Sequence, residues 1–464
     1  MDLKIVLIGA ASPQWGFTLM RDIIVVLSED ADLAGRGPVL VLEDIDEVNL
    51  EKAHRLAEMV AASTGGRVRI QSTTDQREAI ADANFVITSL AVGSLEAMQA
   101  DLEIPYQYGI YQPVGDTISI GGAIRTARNV PAFLSIARDM EQHAAPDAWL
   151  LNLSNPLSSL TRAVTRETSV NTIGLCHELY GGLAALSGWL GFDYSRWRET
   201  LEISVLGVNH CSWIQRLTIE GEDALPRLRS FIEERGIGME SKRLYDSETP
   251  ELRHENVKMI LFLRHGLWPY SGDRHNAEFF DEFVSRETNL GADYGVMLTT
   301  IQSRLVDWRG FARQAVNQRL AGRAEIDLRV SEEATSKIIK AMTLDRPFYD
   351  VSNLPYLSDG SESLPGVPEG AVIETMCNYD GNGPHPVAVE PLPDPLQEHL
   401  ALHAGIIEDI VEASISGDRQ LMIAALERDP LLENMDQDRV PEMWDRLAAA
   451  NREWIHPALL RQPQ

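Results

Sequence analysis

Over roughly the first 190 positions, short solid apolar runs alternate with longer stretches whose apolar residues recur at helical intervals. Residues 3–8 read as a buried strand, Gly9-Ala10-Ala11-Ser12 as a turn, and residues 17–27 as a helix. Residues 39–42 give a second strand that ends in the acidic run Glu43-Asp44-Ile45-Asp46, followed by a helix over 48–60. Further strands are expected at 68–71, 85–88, 149–151 and 172–175, with crossover helices such as 131–142 between them. This alternation predicts an α/β fold with a Rossmann-like, doubly wound parallel sheet over residues 1–195. Beyond Trp197 the pattern changes to strands at 203–208 and 214–219 and long helical stretches at 294–319 and 396–413. A second, α+β and largely helical domain over 196–464 is expected. Residues 353–369 and 381–395 read as long loops, and no internal repeat is visible.

Composition narrows the partners. The chain has 464 residues, enough for two packed domains, and its 44% hydrophobic and 24% charged residues are ordinary for a globular protein. Asp and Glu outnumber Lys and Arg by 69 to 41, and the resulting charge of -28 repels nucleic acid and anionic membranes. Three cysteines, Cys176, Cys211 and Cys377, are an odd number that argues against a disulfide framework and for a reducing compartment. Lys4 is followed at once by the apolar residues 5–8, which leaves no room for a signal peptide, and no apolar run approaches the roughly 20 residues of a membrane span. A cytoplasmic location is expected.

Chemistry begins at the first turn. A strand that delivers a tight turn to a helix N-terminus aims backbone N–H groups and the helix dipole at a phosphate, and Gly9, Ala10, Ala11 and Ser12 hold that place. Asp44, closing the second strand, is set to accept hydrogen bonds from ribose hydroxyls, which favours NAD over NADP. The 35 positions separating Gly9 from Asp44 exceed the usual interval of roughly 20, and the full three-glycine pattern is absent.

Three later segments put reactive groups at the carboxyl ends of expected strands: Asn152-Leu153-Ser154-Asn155-Pro156, Gly174-Leu175-Cys176-His177-Glu178 and Gly207-Val208-Asn209-His210. Open α/β sheets bind ligands at those ends. The Cys176 thiolate and the His210 imidazole suit a divalent ion with positions left open. Taken singly, Cys176 reads as well as a buried thiol, His210 as a structural histidine and Asp116 as a helix cap.

Together with Gly115-Asp116-Thr117, Gly121-Gly122, Gly272-Asp273-Arg274-His275 and Glu278-Phe279-Phe280, these segments resemble, in order, those of glycoside hydrolase family 4. The resemblance implies an NAD-dependent glycosidase with a divalent cation, typically Mn2+, held by Cys176 and His210. It implies oxidation of the sugar at C3, removal of the C2 proton, departure of the C1 leaving group, addition of water and re-reduction. Asp116 matches the general acid, and Tyr270 and Asp273 compete for the C2 base, with Asp273 preferred. Asn155 is expected to orient sugar hydroxyls and nicotinamide, and His177, Arg274 and His275 to touch substrate. Relatives imply a homodimer or homotetramer.

Members that cleave phosphorylated sugars carry arginines in the segment matching residues 90–103, where this chain has Ala91 and Met98. A non-phosphorylated α-glycoside is therefore expected, either neutral (α-glucoside or α-galactoside) or an α-uronide whose carboxylate pairs with Arg274 or Arg125. The alternatives are a lactate/malate-type dehydrogenase, which would release NADH, and a non-catalytic NAD-binding sensor.

Overall fold

The structure, a computed structural model, describes residues 2–12, 15–237, 255–357 and 364–461. The strands expected in the N-terminal half become six parallel strands: β1 (Lys4–Ile8), β2 (Val39–Glu43), β3 (Arg69–Thr73), β4 (Phe85–Thr88), β5 (Trp149–Asn152) and β6 (Asn171–Gly174). They pair in the order 3-2-1-4-5-6, the doubly wound order with its switch point between β1 and β4. Ile5, Val6 and Leu7 are 0% exposed, and burying each such side chain contributes roughly 1.5–3 kcal/mol.

The later strands extend this sheet and do not form one of their own. They are β7 (Leu201–Val208), β8 (Cys211–Ile219), β9 (Glu222–Asp223), β10 (Trp268–Pro269), β11 (Phe348–Pro355), β12 (Val372–Asp380) and β13 (Gly383–Pro386). From β6 the sheet runs on antiparallel through β11, β12, β7 and β8 to β10, with β13 beside β12 and β9 beside β8. The helix Leu396–Ser416 packs back onto the helices Ser119–His143 and Leu157–Glu167. No helix among the described residues is long and apolar enough to cross a membrane.

The long interval between Gly9 and Asp44 has a simple cause. After the helix Gly16–Glu29, Asp30 caps an additional helical turn, Ala31–Ala34, through the N–H groups of Asp32 and Leu33 before β2 begins. Three expectations change. The helix expected over 294–319 starts late: Gly295, at φ 78°, closes the 3-10 turn Asn289–Tyr294, and an unbroken helical run follows from Ile301 to Leu320 with a π-helical stretch at Arg304–Gly310. The expected loop 353–369 begins inside β11, its residues 358–363 lie outside the described residues, and the expected loop 381–395 contains β13.

Candidate active site

At the switch point, Gly9 has φ 83°, and a Cβ there would lie 2.3 Å from the Ser89 carbonyl oxygen, so only glycine fits between β1 and the residue after β4. The turn is tied inward. Gly9 and Ala10 donate to the Glu43 carbonyl (3.0 and 3.1 Å), Ser12 to that of Gly9 (3.1 Å), and Ala11 to the Asp44 carboxylate (3.0 Å). These four N–H groups were expected to face phosphate, but they brace the turn instead. What the turn presents is the N-terminus of the helix Gly16–Glu29, which has no side-chain cap and so keeps its dipole open to an anion. Asp44 also accepts the Asp46 N–H (2.9 Å), and burial raises its pKa. These features fit a dinucleotide: an uncapped helix for the pyrophosphate and an acidic end of β2 for the ribose.

Asp116, His210 and His275 converge, with one ligand atom from each all within 4.8 Å of one another, and they are the one such group among the described residues. His210 sits in the two-residue turn joining β7 to β8 with φ 70°, a left-handed conformation that His adopts more readily than most residues. Gly207 permits the hairpin to close, since a Cβ there would lie 2.2 Å from the Cys211 carbonyl oxygen. The Thr117 hydroxyl donates to Asp116 Oδ1 (3.0 Å) and lies 2.7 Å from His210 Nδ1, so it accepts the Nδ1 proton and leaves Nε2 bare. Burial, with the His275 ring 3.7 Å away, holds the His210 pKa down to about 3, and burial also lowers that of His275. Two neutral imidazoles beside a carboxylate are a metal-competent set, and His275 Nδ1 is buried without a hydrogen-bond partner. Replacing Thr117 with Val should weaken Mn2+ binding about 10–100-fold, the usual effect of losing a ligand's orienting partner, as read by the fall in free-Mn2+ electron paramagnetic resonance signal during titration.

Burial raises the pKa of Asp116, but Arg125, His275, His210 and Arg304 outweigh it and bring the group down to about 2. Asp116, which the sequence reading made the general acid, is thus ionised and placed as an acceptor here. Asn155 Nδ2 stands 3.5 Å from Asp116 Oδ1, and the Asn155 carbonyl accepts Arg125 Nε (3.0 Å), which joins the Asn-Pro segment to the same place. Beside it, Glu278 accepts the N–H groups of Val114 (2.7 Å) and Gly115 (2.6 Å), leaves its other oxygen buried without a partner, and is pushed by burial to a pKa of about 8. The sequence reading placed Glu278 in a motif but gave it no role.

Cys176, just past β6, is not part of the three-residue group. Burial, then Glu374 and Glu178, raise its thiol pKa well above normal, while Asn209 stabilises its thiolate. A cation would be needed to hold it ionised. Tyr270 is buried and donates its hydroxyl to Glu374. Asp273 faces elsewhere: its two carboxylate oxygens accept the N–H groups of Val257 (2.9 Å) and Lys258 (3.1 Å), capping the helix Asn256–His265. Arg274 likewise straps the chain together, bonding the carbonyls of Met297 (3.0 Å) and Pro113 and the Thr299 hydroxyl. His177 is the more open of the expected substrate contacts, with its ring 5.1 Å from that of Trp15 and Nδ1 3.7 Å from Glu333.

Comparison with known proteins agrees in both halves. Residues 4–191 match the model of the family 4 glycosyl hydrolases and residues 205–432 that of the family 4 glycosyl hydrolase C-terminal domain. An α-galacturonidase of Bacillus subtilis is 31% identical over 93% of this chain and 94% of its own. A crystal structure from Bacillus subtilis described as a glucosidase superposes with a TM-score of 0.84 at 29% identity, covering 96% of this chain and 99% of that one. A 6-phospho-α-glucosidase from gut microorganisms, solved with NAD and Mn2+, shares the fold at a TM-score of 0.78 and 18% identity over 99% of this chain and 100% of that one. With matches on both sides of the sheet and on the histidine turn itself, this chain belongs to glycosyl hydrolase family 4.

Proposed function

We propose that the chain hydrolyses non-phosphorylated α-glycosides, with an α-linked uronide as substrate, by transient oxidation of the sugar. The observation that carries this reading is the neutral His210 and His275 pair with ionised Asp116, on the sheet whose other end is built for a dinucleotide. NAD would lie along the uncapped helix and Asp44, where it supplies reversible hydride acceptance at sugar C3. A divalent cation, for which Mn2+ is our assignment, would be held by His210 with Cys176, and His275 is the further nitrogen in range; its charge favours electron density at the oxidised sugar.

The chain's own residues carry the remaining work. Tyr270 takes the C2 proton, because the carboxylate of the competing Asp273 is occupied by a helix N-terminus. Asp116 and Asn155 accept and orient sugar hydroxyls. The leaving-group proton is assigned to Glu278, following the rule that two neighbouring carboxyls with pKa values pushed apart divide acceptor and donor roles. Uronide selectivity is supported by charge: Arg125 acts on Asp116, and Asp101 is taken by Arg128 through contacts of 2.9 and 2.6 Å. That leaves positive charge for a substrate carboxylate. Three free thiols accord with a cytoplasmic setting. The exposed Met297, Leu305, Val306 and Phe311 accord with self-association, which light scattering would test.

The test is nitrophenol release from α-galacturonide, α-glucuronide, α-galactoside and α-glucoside, with NAD or Mn2+ singly omitted. Release from a uronide that requires both additions and yields no net NADH is expected. Preference for a neutral sugar would remove the uronide reading alone, and stoichiometric NADH without nitrophenol would make the protein a dehydrogenase.

A further inference from the structure

Behind Cys176 and His210 lies a carboxylate that the reaction as described leaves without a task. Glu374 sits on β12 in register with Asn353 of β11 and Gly207 of β7, and is 1% exposed. Its Oε2 accepts Asn353 Nδ2 (2.6 Å) and Asn209 Nδ2 (3.1 Å), and its Oε1 accepts the Tyr270 hydroxyl. Tyr270, Asn353 and Asn209 all donate to it, which favours the carboxylate form against the burial that raises its pKa. A buried charge is retained only when satisfied in this way.

The arrangement answers a difficulty in using Tyr270 as a base. A phenol must lose its proton before it takes another, and burial together with Glu374 raises the Tyr270 pKa well above its ordinary value. A phenol that gives its O–H to a carboxylate turns its lone pairs away from that carboxylate, so Tyr270 can accept a proton on the far side as it gives one up.

We infer that Glu374 is the positioning residue of Tyr270 and the destination of its proton. As the C2–H bond breaks, its electron pair stays on the sugar, conjugated with the C3 ketone. The proton bonds to Tyr270 Oη, the original O–H bond breaks, and that proton ends on Glu374 Oε1. Negative charge passes from Glu374 to the sugar without resting on the phenol. The reverse transfer returns a proton to C2 before re-reduction. This inference rests on Tyr270 being the base, and the experiment separates the two.

With the full chain loaded with NAD and Mn2+, three readings are compared for wild type, E374Q, E374D and Y270F: kcat against KM, the kinetic isotope effect with C2-deuterated substrate, and exchange of the C2 hydrogen with deuterated water followed by nuclear magnetic resonance. E374Q should lower kcat about 100-fold, within the range for a proton-transfer partner, leave KM within about 3-fold, enlarge the C2 isotope effect and suppress exchange. E374D, which keeps the charge at shorter reach, should recover part of the loss, and the Y270F/E374Q pair should be no slower than Y270F. Exchange in E374Q within about 3-fold of wild type, or a lost kcat with an unchanged C2 isotope effect, would overturn the inference. Should E374Q fail to fold, E374D decides: slowed exchange supports the relay and wild-type exchange rejects it. Wild-type exchange in Y270F removes the base assignment itself.

Discussion

Replacing Tyr270 with Phe is expected to lower kcat about 10²–10⁴-fold, the range for losing a positioned base, while NAD binding measured by fluorescence titration stays unchanged. The variant should still fold. Asn353 and Asn209 remain on Glu374, so the cost is that of one missing donor to a buried carboxylate, about 1–3 kcal/mol, and a melting experiment should show a modest drop. Asp273→Asn is the control. It swaps one cap oxygen for an amide facing the N–H groups of Val257 or Lys258, and should lower the melting temperature while the C2 isotope effect of the folded fraction stays that of wild type. A folded Asp273→Asn that has lost C2 exchange would transfer the base to Asp273.

The second large effect is expected at the histidine turn. His210→Asn keeps a residue that tolerates the left-handed φ of 70° and so preserves the β7–β8 connection, while removing the imidazole. If the cation's charge at the oxidised sugar is worth several kcal/mol, kcat/KM should fall on the order of 10³-fold, at about 1.4 kcal/mol per factor of ten. Excess Mn2+ should restore part of the activity. A variant that binds Mn2+ as tightly as wild type by titration would exclude His210 as a ligand.

Much of the sheet was legible because β1, β2 and β4 are solid apolar runs and the six parallel strands follow in sequential βα order, and the crossover rule does the rest. The segments carrying Asp116, Asn155, Cys176 and His210 were legible for a related reason: three of them end strands, where ligands bind. β11 and β12 were not. They join the sheet out of chain order, and β12, with the sequence VIETMCNYD, is buried along almost its whole length and offers no alternation to mark it. Glu374 and Asn353 therefore had no motif, since only the register between β12, β11 and β7 gathers them beside Asn209. The one local sign was a carboxylate inside an apolar run. Side-chain direction was equally hidden. Asp273, Arg274 and His275 are consecutive, yet one caps a helix, one straps a loop and one turns toward His210.

The unbroken ladder of hydrogen bonds from β3 to β10 has a mechanical meaning. A protein whose two halves meet across a cleft can close on its ligand by bending at a hinge, but here the backbone that would have to bend is itself woven into the weave it joins, at β6–β11, β11–β12 and β12–β7. Swinging one half would tear those rungs. Movement on ligand entry is thus confined to segments outside the ladder, where loop gating runs on the microsecond to millisecond scale.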